Sequence, residues 1–128
     1  MTARTSTMHI GELAERTGLS LRTIRHYDEV GLLPASSRTE GGFRVYSEDD
    51  FERLTVIKQM KPLGFSLEEM AELLEILGSR NELAAKGAGA GDGSARLTEF
   101  LEKAVHERTK IARNLAQADE FILRLRGL

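Results

Sequence analysis

The chain has 128 residues, 41% hydrophobic and 30% charged, a size and balance suited to one small domain with an appended helix. No apolar run approaches the roughly 20 residues that cross a bilayer, which excludes the membrane as a partner and points to the cytoplasm. Net charge is −2, with 9 basic and 9 acidic residues in 1–64 and 9 and 11 in 65–128, so any case for nucleic acid must rest on local arrangement.

The absence of cysteine removes disulfides, thiolate zinc sites, iron–sulfur clusters and cysteine nucleophiles together. Residues 1–8 lack an apolar core segment and read as a floppy terminus, not as a secretory signal. Ile10, Leu13 and Ala14 recur at helical spacing up to Arg16, and Thr17-Gly18 supplies a stop. Ser20 suits the N-cap of a second helix, with Leu21 and Ile24 facing the core, which closes near Val30 and Gly31. Two short helices about a glycine turn make a helix-turn-helix candidate.

From Pro34 to Tyr46 the character changes. Gly41-Gly42 separates a stretch ending in Arg38-Thr39 from Phe43-Arg44-Val45-Tyr46, which predicts a two-stranded hairpin. Ser47 caps a third helix with an acidic first turn and a core face of Phe51, Leu54, Ile57 and Met60; Pro62 and Gly64 end it. Ser66, with Glu69 at the capping-box position, opens a fourth, with Leu67, Met70, Leu73, Leu74 and Leu77 as its stripe and Gly78 closing it. Residues 78–96 read as a Gly/Ala-rich linker between a DNA-binding domain over 8–77 and a coiled-coil helix over 97–126. The glycines at 87, 89 and 91 do not make a phosphate loop, since no strand precedes them and no Gly-Lys-Ser/Thr ending follows.

The last segment has the clearest period. Leu97, Leu101, Ala104, Arg108, Ile111, Leu115, Ala118, Ile122 and Leu125 alternate steps of 4 and 3, a coiled-coil seam of about four heptads. A lone helix cannot bury such a stripe in so small a chain, so a second copy is expected to cover it in a homodimer. Arg108 interrupts the seam and must reach a carboxylate or water, a device suited to fixing register.

Arg22, Arg25 and His26 cluster on the second helix at separations of 3 and 4, where arginine can grip phosphates or read a guanine edge, and Thr23 and Tyr27 add hydroxyls. Taken alone, such a patch is usually a solvated face. The hairpin that follows adds Arg38, Phe43, Arg44 and Tyr46, cations interleaved with aromatics, and a helix with a basic wing fits DNA best.

Ile10-Gly-Glu-Leu-Ala, Thr17-Gly-Leu-Ser, Arg22-Thr-Ile-Arg-His-Tyr-Asp, Gly31-Leu-Leu-Pro, Arg38-Thr-Glu-Gly-Gly-Phe-Arg-Val-Tyr and Leu63-Gly-Phe-Ser-Leu-Glu-Glu together resemble the MerR family of regulators. The resemblance implies a mainly α fold, a winged helix-turn-helix with a small β-hairpin wing and a long antiparallel coiled-coil dimerisation helix. It also implies a homodimer on a pseudo-palindromic promoter whose spacer is bent and untwisted for RNA polymerase, so that deformability contributes to specificity. Carried over by position, it puts Arg22, Thr23, Arg25, His26 and Tyr27 on the recognition helix, Arg38, Phe43, Arg44 and Tyr46 on the wing, and Lys61 at a phosphate contact. His26 stands where many relatives have Tyr or Phe, and Pro62 stiffens the junction after Lys61.

Metal-sensing relatives use cysteines that this sequence lacks, and drug-sensing relatives append a ligand domain where only Gly127 and Leu128 follow the seam; the effector is left open. Glu102 and His106 read as a solvated pair and not as metal ligands. No cofactor is expected. His9, His26 and His106 have no nucleophile or carboxylate constellation around them, which argues against an enzyme. The competing readings are an architectural DNA-bending or excisionase-like factor and a coiled-coil protein-interaction module.

Overall fold

Short local signals set most of the elements. A computed structural model describes the backbone over 7–85 and 94–128 and the side chains over 7–78 and 95–128; the stretch from 86 to 93 expected as a linker lies outside the described residues. The chain forms one compact unit up to Ala71 and a second over Glu72–Leu128.

The first unit opens on a strand, β1 (Thr7–His9), in which only Met8 is buried. This corrects the expected floppy terminus over its last two residues: three residues are too few to show a period of two, and the strand forms because a partner edge awaits it. Helix α1 (Ile10–Thr17) follows directly and ends at Gly18, whose φ of +75° suits glycine and whose amide donates to the Ala14 carbonyl at 2.8 Å. Lys58 donates its ammonium to the Thr17 carbonyl, so a cation from a later helix also satisfies this terminus. Helix α2 (Leu21–Glu29) starts where Ser20 Oγ accepts from the Thr23 amide at 3.1 Å. Leu21 is 39% exposed, not turned into the core as expected; it lies on the first turn of α2, while Ile24 is fully enclosed.

Strands β2 (Ser37–Arg38) and β3 (Arg44–Ser47) form the wing. The sheet is antiparallel with order β1-β3-β2, pairing Met8 with Tyr46 and Ser37 with Val45, so the expected two-stranded hairpin is a three-stranded sheet. Helix α3 (Glu48–Met60) begins with a complete capping box, Ser47 with Asp50. The buried Asp50 carboxylate also accepts from the Ser36 hydroxyl at 2.5 Å, tying the residue that leads into β2 to the helix that follows β3. Phe51, expected in the core, is half-buried beneath the Arg16 guanidinium, which lies 4.1 Å from its ring centroid and pairs with Glu48. Leu13, Ile24, Leu33, Tyr46, Leu54 and Ile57 are the wholly enclosed centre of the unit. A 3₁₀ turn over Lys61–Leu63 stops at Gly64.

Ser66 and Glu69 cap helix α4 (Leu67–Ala85) reciprocally, at 2.8 and 3.1 Å. The helix passes through Gly78, where the sequence suggests a stop: a mid-helix glycine costs only about 1 kcal/mol relative to alanine, too little to end it. Helix α5 (Ser94–Arg126), 33 residues long, therefore begins inside the stretch expected as linker. Within the second unit Arg96 joins the two helices, pairing with Glu72 at 2.5 and 2.9 Å and lying 4.6 Å over the buried Phe100 ring. No helix among the described residues is long and apolar enough to cross a membrane.

Candidate nucleic-acid interface

Helix geometry sorts α2 into two faces. Ile24 and Tyr27 are buried, while Arg22, Arg25 and His26 are exposed beside one another, three and four residues apart. Thr23 is half-buried, its hydroxyl accepting from Ser20 at 2.9 Å. The exposed edge is thus two guanidiniums and an imidazole on a helix whose opposite face is anchored in the core, the form of side chains that enter a DNA groove.

The wing is shaped by its turn. Gly42 has φ +83° and donates to the Thr39 carbonyl at 2.9 Å, and the Arg38 guanidinium donates to the Gly42 carbonyl at 2.9 Å. A side chain on Gly41 would meet the Phe43 ring at 3.2 Å, so glycine there lets that ring lie against the turn. Phe43 is left 68% exposed at the tip, unusual for phenylalanine and suited to contact with sugars and bases.

Asp28 connects the two elements. Its carboxylate accepts from Arg44 Nε, stands 3.6 Å from the Arg38 guanidinium and accepts from the Ala35 amide at 3.4 Å. The hydrogen bond that Arg44 donates to Asp28 raises the guanidinium pKa above its usual value, against the opposing effect of desolvation. Arg44 is consequently a fixed cation, its side chain only 21% exposed, and not a free surface arginine. Asp28 is the residue that sequence reasoning missed. Its signal was an acid in the last turn of a basic helix followed by a basic wing, but the partners lie 10 and 16 residues on.

Two expected contact residues are corrected. Tyr27 is 4% exposed and Tyr46 not at all, so both rings are packed inside the first unit and face no solvent. The Tyr46 hydroxyl is buried without a hydrogen-bond partner, and burial pushes its pKa up, so it offers a DNA surface nothing. Lys61 is exposed at the start of the 3₁₀ turn.

Replacing Asp28 by Asn is expected to remove an anion from the basic face while freeing both wing arginines. Non-specific DNA affinity should rise, and the ratio of specific to non-specific affinity should fall several-fold. Competition binding against random-sequence DNA measures both; an unchanged ratio would show that Asp28 does not position the wing.

Two helices about a tight turn, a basic second helix and an adjoining β-wing define a winged helix-turn-helix DNA-binding protein. Residues 8–76 match the MerR HTH family regulatory protein description, and residues 51–128 match that of MerR, DNA binding. The chain belongs to the MerR family and is a DNA-binding transcriptional regulator. It is 40% identical to the HTH-type transcriptional regulator YfmP of Bacillus subtilis, over 94% of this chain and 89% of that one. It is 38% identical to a mercuric resistance operon regulatory protein of Bacillus cereus, over 87% and 82%. Among solved structures, HiNmlR, a MerR family regulator lacking the sensor domain and bound to promoter DNA, aligns with a TM-score of 0.69 at 25% identity, over 94% of this chain and 88% of that one. A MerR family regulator from Bacillus cereus aligns with a TM-score of 0.60 at 28% identity, over 93% and 82%.

Proposed function

We propose that this regulator works in the cytoplasm as a homodimer that binds a pseudo-palindromic promoter, distorts its spacer and so controls the approach of RNA polymerase, without catalysing a reaction. The observation that carries the reading is the joint placement of Arg22, Arg25 and His26 on an exposed helix edge beside a wing bearing Arg38 and Phe43, the two elements tied through Asp28. A dimer brings two such heads to two half-sites, and gripping both at once is what allows it to impose a shape on the DNA between them. Arg22, Arg25, His26, Arg38, Phe43 and Lys61 are the contacts assigned to DNA, with Thr23 and Arg44 in support. The apolar row from Leu97 to Leu125 is assigned to the dimer. With no cysteine in these 128 residues, a thiolate metal effector is not part of the proposal.

The test is binding of the purified protein to fragments of its own upstream region across a salt series, followed by transcription on the fragment it selects. A dimer with about 6–10 phosphate contacts should lose roughly 10³–10⁵ in affinity between 50 and 200 mM salt. The selected fragment should contain an inverted repeat, and open-complex formation should change when the protein binds. Bending without any change in open complexes would assign an architectural role instead. No salt-dependent binding from a folded protein would remove the DNA assignment.

A further inference from the structure

Helix α5 carries charges that its own turns do not serve, Arg108 and Asp119 among them. Side chains three and four residues apart are neighbours on a helix; for Arg108 these are Ala104, Val105, Ile111 and Ala112, and for Asp119 they are Leu115, Ala116, Ile122 and Leu123. Both charged residues are exposed, and neither makes an ion pair or hydrogen bond among the described residues. Glu107 and Lys110, by contrast, pair with each other at 3.5 Å. Around the isolated charges lie large apolar side chains left in solvent, among them Leu101, Ile111, Leu115, Ile122 and Leu125.

In heptad terms Leu101, Arg108, Leu115 and Ile122 share one seam position (a), and Leu97, Ala104, Ile111, Ala118 and Leu125 the other (d), with Asp119 on the flank (e) adjoining the first. A parallel, in-register pair would place Arg108 against the partner's Arg108, two like charges in an apolar layer. An antiparallel pair sets each a residue against a d residue. One such register matches Leu101 with the partner's Leu125, Ala104 with the partner's Ile122, Arg108 with the partner's Ala118, and Ile111 with the partner's Leu115. The small partner's Ala118 leaves room for the arginine stem, and the partner's Asp119 is the next residue along the same edge. Sliding by one heptad sets Arg108 against the partner's Ile111 with alanine flanking it, or against the partner's Leu125 beside the partner's Arg126. Of these three registers only the first brings a carboxylate to the guanidinium.

Building on the homodimer reading above, we propose that Arg108 and the partner's Asp119 form an ion pair, made twice per dimer, that fixes α5 in one antiparallel register. Burial of apolar surface drives association, and the charges select which of several apolar alignments is used. The same pair restricts partners: a related helix without an acid at this position cannot satisfy Arg108.

The test uses the full chain with two charge reversals, Arg108→Glu and Asp119→Arg, alone and mixed, with helicity checked by circular dichroism. Each variant alone sets two pairs of like charges across its own homodimer, and its dimer dissociation constant by sedimentation velocity should rise at least about tenfold. Mixed in equal amounts they restore both attractions, so a heterodimer should form at near wild-type affinity. Single variants that dimerise like the wild type, or a mixture as weak as its components, would overturn the pairing. Since the sequence has no cysteine, orientation is read separately with Leu101→Cys and Leu125→Cys chains. These should cross-link to each other on oxidation and not to themselves; self-linked Leu101→Cys would overturn the antiparallel register. A wild type that stays monomeric at every concentration would remove the homodimer reading itself, a result distinct from dimers that ignore the charge reversals.

Discussion

Replacing Arg22 and Arg25 together by alanine should lower affinity for the selected promoter at least a hundredfold while leaving the fold intact. Both guanidiniums are exposed, and neither makes an ion pair within the chain among the described residues, so their loss removes no internal contact. Contacts of this kind are each worth about 1–3 kcal/mol, and a dimer loses both sets. The salt series then tells how they act. If both grip phosphates, the slope of log affinity against log salt falls by about 2 per subunit and all sequences suffer alike. If they read base edges, the slope stays and discrimination between sequences collapses. A double variant with wild-type affinity would move the interface off this helix edge.

Ile24→Ala, one residue away on the same helix, should produce the opposite pattern. Ile24 is wholly enclosed, and truncating a buried isoleucine costs about 2–5 kcal/mol once the cavity is counted. A unit ending at Ala71 has little stability to lose, since domains below about 70–80 residues rarely hold more than 3–5 kcal/mol in a single core. The variant is therefore expected to be largely unfolded in its first unit near 37 °C, with DNA binding lost along with the fold. Thermal unfolding followed by circular dichroism checks this, and a melting temperature within a few degrees of wild type would show that α2 is not anchored through Ile24.

These two neighbours illustrate which features were legible in sequence. Where a signal is local, reading it works: Ser20, the Ser47–Asp50 box and the Ser66–Glu69 box are caps because hydroxyl and amide lie within one turn. Helical periodicity alone separates Ile24, which is buried, from Arg25, which is exposed. Tyrosine defeats this logic, since a ring with a polar tip suits both a core and a phosphate. Only the pairing of β1 with β3, which sets Met8 against Tyr46, decides that Tyr46 points inward. Asp28 was missed for a similar reason. Its role exists only once the wing folds back to bring Arg38 and Arg44 to the end of α2. Gly78 misled because a single weak helix former carries less free energy than the helical turns on either side.

The strand that opens the described chain also bears on how the reading head is made. Thr7 finds its partner only at Ser47, so the sheet closes a loop of roughly forty residues and waits on the last strand to be synthesised. On the ribosome the two short helices emerge first, with Met8 still bare and the space for Tyr46 unfilled. Any fragment that begins after His9, or stops before Ser47, lacks one side of that closure. A minimal DNA-reading piece must therefore carry both ends of this loop, although every residue assigned to DNA except Lys61 lies between them.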